Sequence, residues 1–318
     1  MKKIIALLLL CMLFAMPTLA QGNSITTGLP ADHDPQVLII QFDNEPGARP
    51  QKGIASADIV YETETYQGGY TRYSAVFNDC LPEEVEALRS ARIVHADIAS
   101  EFGGWFIHYG GQDMAGTDVY SYIADIGLNS VDCLKSSFGK KFAYRDSARK
   151  APNNVVLKLQ AIRDNLDWAG MEFTSPLKFD AENYTRLGEE LSAFRVLYRS
   201  GKYEPSYVYN ADAGAYERYY NGEAFTDGLT GEQVLCENVI IMHADYEWFL
   251  GDSDRPVVQL YGSNTADYFI NGRHFTGTWV RSEGGITTYL DENGSEVIFK
   301  PGKTYIQVLN TTRSWQAD

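Results

Sequence analysis

Arginines recur in this sequence where a chain usually turns: Arg49 in Ala48-Arg49-Pro50-Gln51, Arg72 after Gly68-Gly69-Tyr70-Thr71, Arg89 and Arg92 in Arg89-Ser90-Ala91-Arg92, and Arg145 and Arg149 around Ser147-Ala148. A guanidinium group offers a flat fork of donors that fits phosphate or carboxylate through paired bonds, and it keeps its charge at any accessible pH. Strand ends and loops are where such side chains can converge on one cleft. Arg89 and Arg92 stand three apart, so at a helix start they share a face and can bracket one anion beside free backbone N–H groups. His108 precedes Gly110-Gly111, whose missing side chains let backbone N–H groups come close to a ligand. The expected anion-binding set is therefore Arg49, Arg72, Arg89, Arg92, His108, Arg145 and Arg149. The competing reading ties the same arginines into loops through Glu62, Glu64, Asp58 and Asp97, because buried arginine networks and anion sites use the same residue types.

Charge sharpens the contrast. The chain carries 27 basic against 42 acidic residues, a net charge of −15. Yet Lys135 to Arg163 holds Lys135, Lys140, Lys141, Arg145, Arg149, Lys150, Lys158 and Arg163 against the single acid Asp146. A surface negative overall repels polyanions, so a basic island on it points to a local anionic ligand, and nucleic acid is excluded as a main partner.

Other chemistries fare less well. Ser137-Phe138-Gly139-Lys140 and Ser147-Ala148-Arg149-Lys150 match Ser-x-x-Lys, but the Ser-Asp-Asn and Lys-Thr-Gly partners of that chemistry are missing. No local signature makes Cys80 or Cys133 a nucleophile beside His108. Asp32-His33-Asp34, His95 with Asp97, and His243 with Asp245 lack metal-ligand spacing, and Asp291 to Glu296 reads as a turn rather than a calcium loop. No metal and no cofactor is expected. Tyr203, Tyr207, Tyr209, Tyr216, Tyr219 and Tyr220 could stack on sugars, but alternation in strands makes them cross-strand pairs within the fold.

The elements that must position these residues divide near residue 171, into an N-terminal domain of 37–171 and a C-terminal domain of 172–318. In the first, Val37 to Phe42 reads as a buried strand, and Ile59 to Glu64 and Thr71 to Phe77 as a hairpin across Gln67-Gly68-Gly69. Pro82 to Leu88, Ala91 to Phe102, Tyr120 to Ile126 and Val155 to Trp168 have helical texture, and Trp105 to Tyr109 strand texture. The second half alternates short β-rich runs with turn signals such as Asn210 to Gly214, Asn271-Gly272 and Asp291 to Gly294. The fold class expected is α+β, a mixed α/β N-terminal domain followed by a mainly antiparallel β domain.

At the amino end, Lys2-Lys3, the apolar run Ile4 to Met16 and Pro17-Thr18-Leu19-Ala20 predict an export segment of residues 1–20, removed before Gln21, followed by a loose leader over 21–36. The apolar run is short of the ~20 residues that span a bilayer, and no transmembrane anchor is expected. Cys11 lies inside that run behind Leu10, a poor context for lipid attachment. Cys80, Cys133 and Cys236 are too few and too scattered for a disulfide framework; a Cys80–Cys133 bridge and free thiols both remain open.

These residues also carry a family likeness. Ala48-Arg49-Pro50-Gln51, Ala57-Asp58-Ile59-Val60-Tyr61-Glu62, Gly68-Gly69-Tyr70-Thr71-Arg72, Arg89-Ser90-Ala91-Arg92, His108-Tyr109-Gly110-Gly111 and Ser147 to Asn153 resemble the N-terminal domain of the YerB-like family of bacterial envelope lipoproteins. Asn238-Val239-Ile240, Gly277-Thr278-Trp279 and Asn293-Gly294 through Ile306 resemble its C-terminal domain. The resemblance implies an extracytoplasmic protein of unknown reaction; its members carry a lipid-attachment cysteine after the signal sequence, from which this chain departs. A secreted accessory protein that binds an anionic wall component or wall-synthesis proteins is the preferred reading, ahead of an enzyme. A weaker likeness to LytR-CpsA-Psr glycopolymer phosphotransferases, and a protein-binding adaptor without a small-molecule site, are the alternatives.

Overall fold

The computed structural model describes residues 22–248 and 255–318; the expected export segment and Cys11 lie outside them. In chain order its main elements are β1 (Leu38–Asp43), β2 (Ile59–Tyr66), β3 (Tyr70–Phe77), α1 (Ile93–Ser100), β4 (Trp105–His108), α2 (Val119–Asp125), β5 (Ser130–Asp132), β6 (Val155–Leu157), α3 (Leu159–Arg163), β7 (Ala193–Leu197), β8 (Pro205–Asn210), β9 (Ala215–Tyr220), β10 (Asn238–Ala244), β11 (Gly262–Ile270), β12 (Arg273–Arg281), β13 (Thr304–Asn310) and β14 (Ser314–Ala317). The architecture is mostly β, 42% strand against 10% helix, and the α-helices of the described residues all lie between 93 and 163.

One 11-stranded sheet runs β12, β11, β10, β13, β2, β3, β1, β4, β5, edged by Glu189–Glu190 and with Thr288–Asp291 also paired to β12. It crosses the division at residue 171. Strand β13 inserts parallel between β2 and β10, placing Ile306 opposite both Tyr61 and Ile240. Strands β1, β4 and β5 are parallel to one another, and β1 and β2 each pair antiparallel with β3. The carboxyl ends of β5, β4, β1, β2, β13 and β10 therefore share one edge.

Because side chains alternate along a strand, each face of the sheet has its own core. Ile39, Ile59, Tyr61, Val76, Ile240 and Ile306 pack beneath Val94, Ile98 and Phe102 of the α1 region. Leu38, Ile40, Val60, Tyr73, Val239 and Tyr305 pack against a second sheet, whose Phe194, Tyr207 and Tyr216 stack inward. That sheet runs β9, β8, β7, β14. Phe194 lies 3.6 Å from Phe269, centroid to centroid, joining the two sheets. Tyr203, Tyr207, Tyr216 and Tyr220 are buried and Tyr209 and Tyr219 half-buried, so the tyrosine-rich segment belongs to the fold. Asn271 and Gly272 join β11 to β12 with φ of 53° and 73°, the two positive angles that a tight hairpin turn requires.

Two helical expectations give way to strand. In 82–88, Val85–Glu86 pairs with β6, and Lys52 exchanges backbone bonds with Glu86. In 155–168, Val155 to Leu157 pairs on both sides before the chain turns into α3; β-branched valines favour that half-buried ribbon over a helical turn. The leader is not loose. Ser24 and Thr27 donate hydroxyl protons to Asp79, Thr26 donates to Asp58 at 2.9 Å, and Thr26 is fully buried. Cys80, Cys133 and Cys236 are free thiols. No helix of the described residues is long and apolar enough to cross a membrane.

Candidate functional site

The helix-facing rows of the sheet change character as they reach its carboxyl edge. Ile39 is followed on that face by Gln41 and Asp43, Tyr61 by Thr63, and Val76 is preceded by Ser74 and Arg72; all of these polar residues except Asp43 and Arg72 are wholly buried, and those two nearly so. Register places Arg72 opposite Asp43 on one side and Thr63 on the other. The segment 88–92 crosses the strand ends: Leu88 bridges Phe42, Arg89 N–H donates to Gln41 O, and Ala91 N–H donates to Gly110 O. It thereby delivers Arg89 and Arg92 beside Arg72.

His95 fixes the start of α1. Its Nδ1 accepts the Arg92 N–H at 3.1 Å and its Nε2 lies 3.1 Å from Thr63 Oγ1. Burial, with the Arg72 and Arg92 charges, holds His95 well below its usual pKa, so it is neutral and donates from Nε2.

The arginines here are not equally satisfied. Arg89 pairs with Asp43 at 3.0 Å and with Glu45 at 3.6 Å. Arg72, 2% exposed, donates from Nη1 to Ser90 O at 2.7 Å. Arg92, 6% exposed, donates to Ala91 O at 2.7 Å and from Nη2 to the Tyr66 hydroxyl at 3.4 Å, while its buried Nε has no partner among the described residues. Neither Arg72 nor Arg92 forms an ion pair with a described carboxylate within 4.0 Å. A further arginine arrives from a distant stretch: Arg255 Nη2 donates to the same Tyr66 hydroxyl at 3.3 Å, and its buried Nε also lacks a partner among the described residues.

Burial lowers the pKa of Arg72 and Arg92, Arg92 furthest; the Arg72 charge adds to the lowering at Arg92, whereas at Arg72 the Asp43 carboxylate partly offsets it. Guanidinium nonetheless keeps its proton in proteins, so the lowering is a standing electrostatic cost that an anion would relieve. Tyr66 shows the same field from the other side. Burial alone would raise its phenol, but Arg92, Arg72 and Arg255 outweigh it and bring it down to about 8.

The remaining expected residues lie elsewhere or serve the backbone. Arg49 bonds Asn44 O and Oδ1 and stacks 3.9 Å over Tyr220, beside a cavity of about 370 Å³ that Pro46, Pro50 and Phe225 also line. Arg149 holds the Ala48 and Pro50 carbonyls at 2.6 Å and lies 3.6 Å from Glu86. Arg145 bonds Asn154 at 2.7 Å. His108 is buried, lowered chiefly by burial, and bonds Gly110 O through Nδ1 at 2.8 Å, so it shapes the glycine turn. The structure thus brings together Arg72, Arg89 and Arg92 of the expected set. None of the acids suggested as their salt-bridge partners takes that role: Glu62 pairs with Arg218 at 2.7 Å, Glu64 with Arg313 at 3.1 Å, Asp97 accepts from Tyr261, and Asp58 accepts from Thr26. Sequence reasoning missed Tyr66 and Arg255. Tyr66 stands at the end of the hairpin strand paired with that of Arg72, opposite Tyr70, whereas Arg255 carries no local signal.

A mixed-direction sheet shared between the two halves of one chain is the fold that comparison with known families then places. The model described as "Protein of unknown function (DUF3048) N-terminal domain" matches residues 26–172, and that of the DUF3048 C-terminal domain matches 194–306. The chain belongs to this family. It is similar to "Putative lipoprotein YerB" of Bacillus subtilis (strain 168), at 28% identity over 97% of this chain and 96% of that one. The crystal structure of YerB protein from Bacillus subtilis matches it with a TM-score of 0.79 at 25% identity, covering 92% of this chain and 99% of the other.

Proposed function

We propose that this is an extracytoplasmic accessory protein that holds an anionic cell-envelope component at the carboxyl edge of its main sheet, with Arg72, Arg92 and Arg255 as the binding groups and Arg89 as their anchored neighbour. The observation that carries this reading is the pair of buried guanidinium groups, Arg72 and Arg92, without a described carboxylate partner. A buried charge without an ion-pair partner is expensive, and an anionic ligand would supply that partner. The export pattern of Met1 to Ala20 and the lipoprotein name of the Bacillus relative support the location. Strong overall acidity supports a local ligand over nucleic acid. The acids nearest the cluster, Asp43 and Glu45, are engaged by Arg89, which favours binding over a transfer reaction needing a free base. The buried tyrosines favour it over an adaptor built on a tyrosine surface.

The two-unit reading belongs to the same proposal. A mixed α/β unit of residues 37–171 supplies Tyr66, Arg72, Arg89 and Arg92, and a β-rich unit of residues 172–318 supplies Arg255 and the inserted strand β13.

Calorimetric titration of the protein with a soluble anionic wall polymer tests the site. Arg72→Met and Arg92→Met should each weaken binding by roughly 10- to 100-fold, the range of a charge-assisted hydrogen bond. Both variants should melt no lower than the parent, because each removes an unpaired buried charge. Equal binding by parent and variants would remove this assignment.

A further inference from the structure

We propose that the group held at this edge is a dianionic phosphoryl group, a phosphate monoester or a terminal pyrophosphate, and that the Tyr66 hydroxyl donates its proton to it. This rests on the anion-binding reading above and narrows it to one ligand chemistry.

Local charge is the first support. Among the described residues, four guanidinium groups, Arg72, Arg89, Arg92 and Arg255, stand against the two carboxylates Asp43 and Glu45, and both carboxylates form their ion pairs with Arg89. The buried histidines add nothing: burial holds both His95 and His108 below their usual pKa, and both are neutral. A ligand that balances the excess carries two negative charges.

Donor inventory is the second support. The Tyr66 oxygen accepts from Arg92 and from Arg255, and its own proton has no acceptor among the described residues. The Nε groups of Arg92 and Arg255 are buried donors without partners among the described residues. The ligand must therefore be rich in acceptors and free of protons. These donors arrive from three separate elements, the end of β2, the start of α1 and the strand-ward side of residue 255, so they approach from different directions. Three phosphoryl oxygens in a tetrahedral array meet such donors better than a planar carboxylate, which two parallel bonds from one arginine already satisfy.

The same arrangement makes binding depend on pH. Tyr66 is faced by Arg72 from β3, Arg92 at the start of α1, Arg255, and the Tyr70 ring, 6.4 Å away across the hairpin. Above about 8 the phenol gives up the proton that the ligand needs and becomes a competing anion within the cluster. A phosphate monoester is already doubly ionised by pH 7.5, its second pKa lying near ~6. Any further loss of affinity at higher pH therefore belongs to the protein.

The test is calorimetric titration of the whole protein with glycerol phosphate, inorganic pyrophosphate, dimethyl phosphate and succinate, and co-sedimentation with neutral-lipid vesicles with and without phosphatidic acid. Glycerol phosphate and pyrophosphate are expected to bind at least tenfold tighter than the monoanionic diester or the dicarboxylate. Glycerol phosphate affinity should fall by about tenfold from pH 7.5 to pH 9, the loss set by one linked proton. Tyr66→Phe, which keeps the ring, should weaken binding at pH 7.5 and abolish the slope. Capture by phosphatidic acid vesicles supports a lipid-borne phosphate, and binding of the soluble monoester without vesicle capture supports a soluble one. Equal affinity for succinate, or an unchanged pH slope in Tyr66→Phe while Arg92→Met still loses binding, overturns the phosphoryl assignment and leaves the anion site standing. Absence of binding to all four anions, or binding indifferent to Arg92→Met, overturns both.

Discussion

Replacing Arg218 with methionine should lower the free energy of unfolding by about 3–5 kcal/mol, the cost of stranding one partner of a buried ion pair. Arg218 projects from β9 in the second sheet, and Glu62 from β2 in the main sheet; both are fully buried and meet at 2.7 Å. The guanidinium group sits 4.1 Å from the centre of the Phe225 ring and 5.0 Å from that of Tyr305, and bonds the Tyr73 and Tyr207 hydroxyls. Glu62 also accepts from Asn44 and Thr71, so the network spans both sheets and the loop after β1. Methionine fills much of the space but leaves a carboxylate facing aromatic walls. Urea unfolding measures the loss, and a change under about 1 kcal/mol would show that water reaches Glu62 and the pair is not dry. Arg218→Met combined with Glu62→Gln should cost less than the two single changes together, because the second removes the charge that the first strands.

Between pH 8 and pH 5 the parent should gain stability over an Asp58→Asn variant by roughly 2–3 kcal/mol. The Asp58 carboxyl is pushed up to about 7, first by burial and then by the charge of Asp79; N–H groups of Asp79 and Asn78 and the Thr26 hydroxyl oppose the rise without cancelling it. A folded-state pKa above the unfolded one means that the folded protein binds the proton more tightly. The stabilisation is therefore complete below the unfolded value near 4 and is lost as pH rises through about 7. Asparagine keeps the acceptor for these donors and cannot ionise, so its stability should be flatter over this window. Parallel curves for parent and variant would mean that Asp58 stays charged when folded. Residues 24–29, fastened through Asp58 and Asp79, should lose amide protection first as pH rises past 7.

Local pattern located most of the frame. The apolar run before Asn44 became β1, the Gly68-Gly69 hairpin became β2 and β3, and Ala91 to Phe102 contained α1. It failed where pairing with remote chain decided the outcome. Val155 to Leu157 has apolar residues at helical intervals, yet strands on both sides claim it. Ser24 to Leu29 looked like solvated leader because its polar side chains gave no hint that buried carboxylates await them. At the site, Arg72, Arg89 and Arg92 were legible because each stands beside a turn signal. Arg145, Arg149 and Arg49 carried the same signal and instead bond backbone carbonyls or side-chain amides. Residue type marks a possible anion ligand; whether an acid or a carbonyl already satisfies it depends on topology. Arg255 illustrates the limit, since only the long return of the chain brings it to Tyr66.

The position of β13 dictates an order of assembly. Its partners β2 and β10 are synthesised long before it, and until Thr304 to Asn310 arrives each of them presents an open row of backbone donors and acceptors. The sheet cannot close until residues 304–310 have been made and have entered between β2 and β10, and a parallel pairing at such sequence separation is among the slower steps a chain can take. A chain truncated before residue 304 would leave β2 and β10 with those unpaired edges, and such edges invite pairing with other chains.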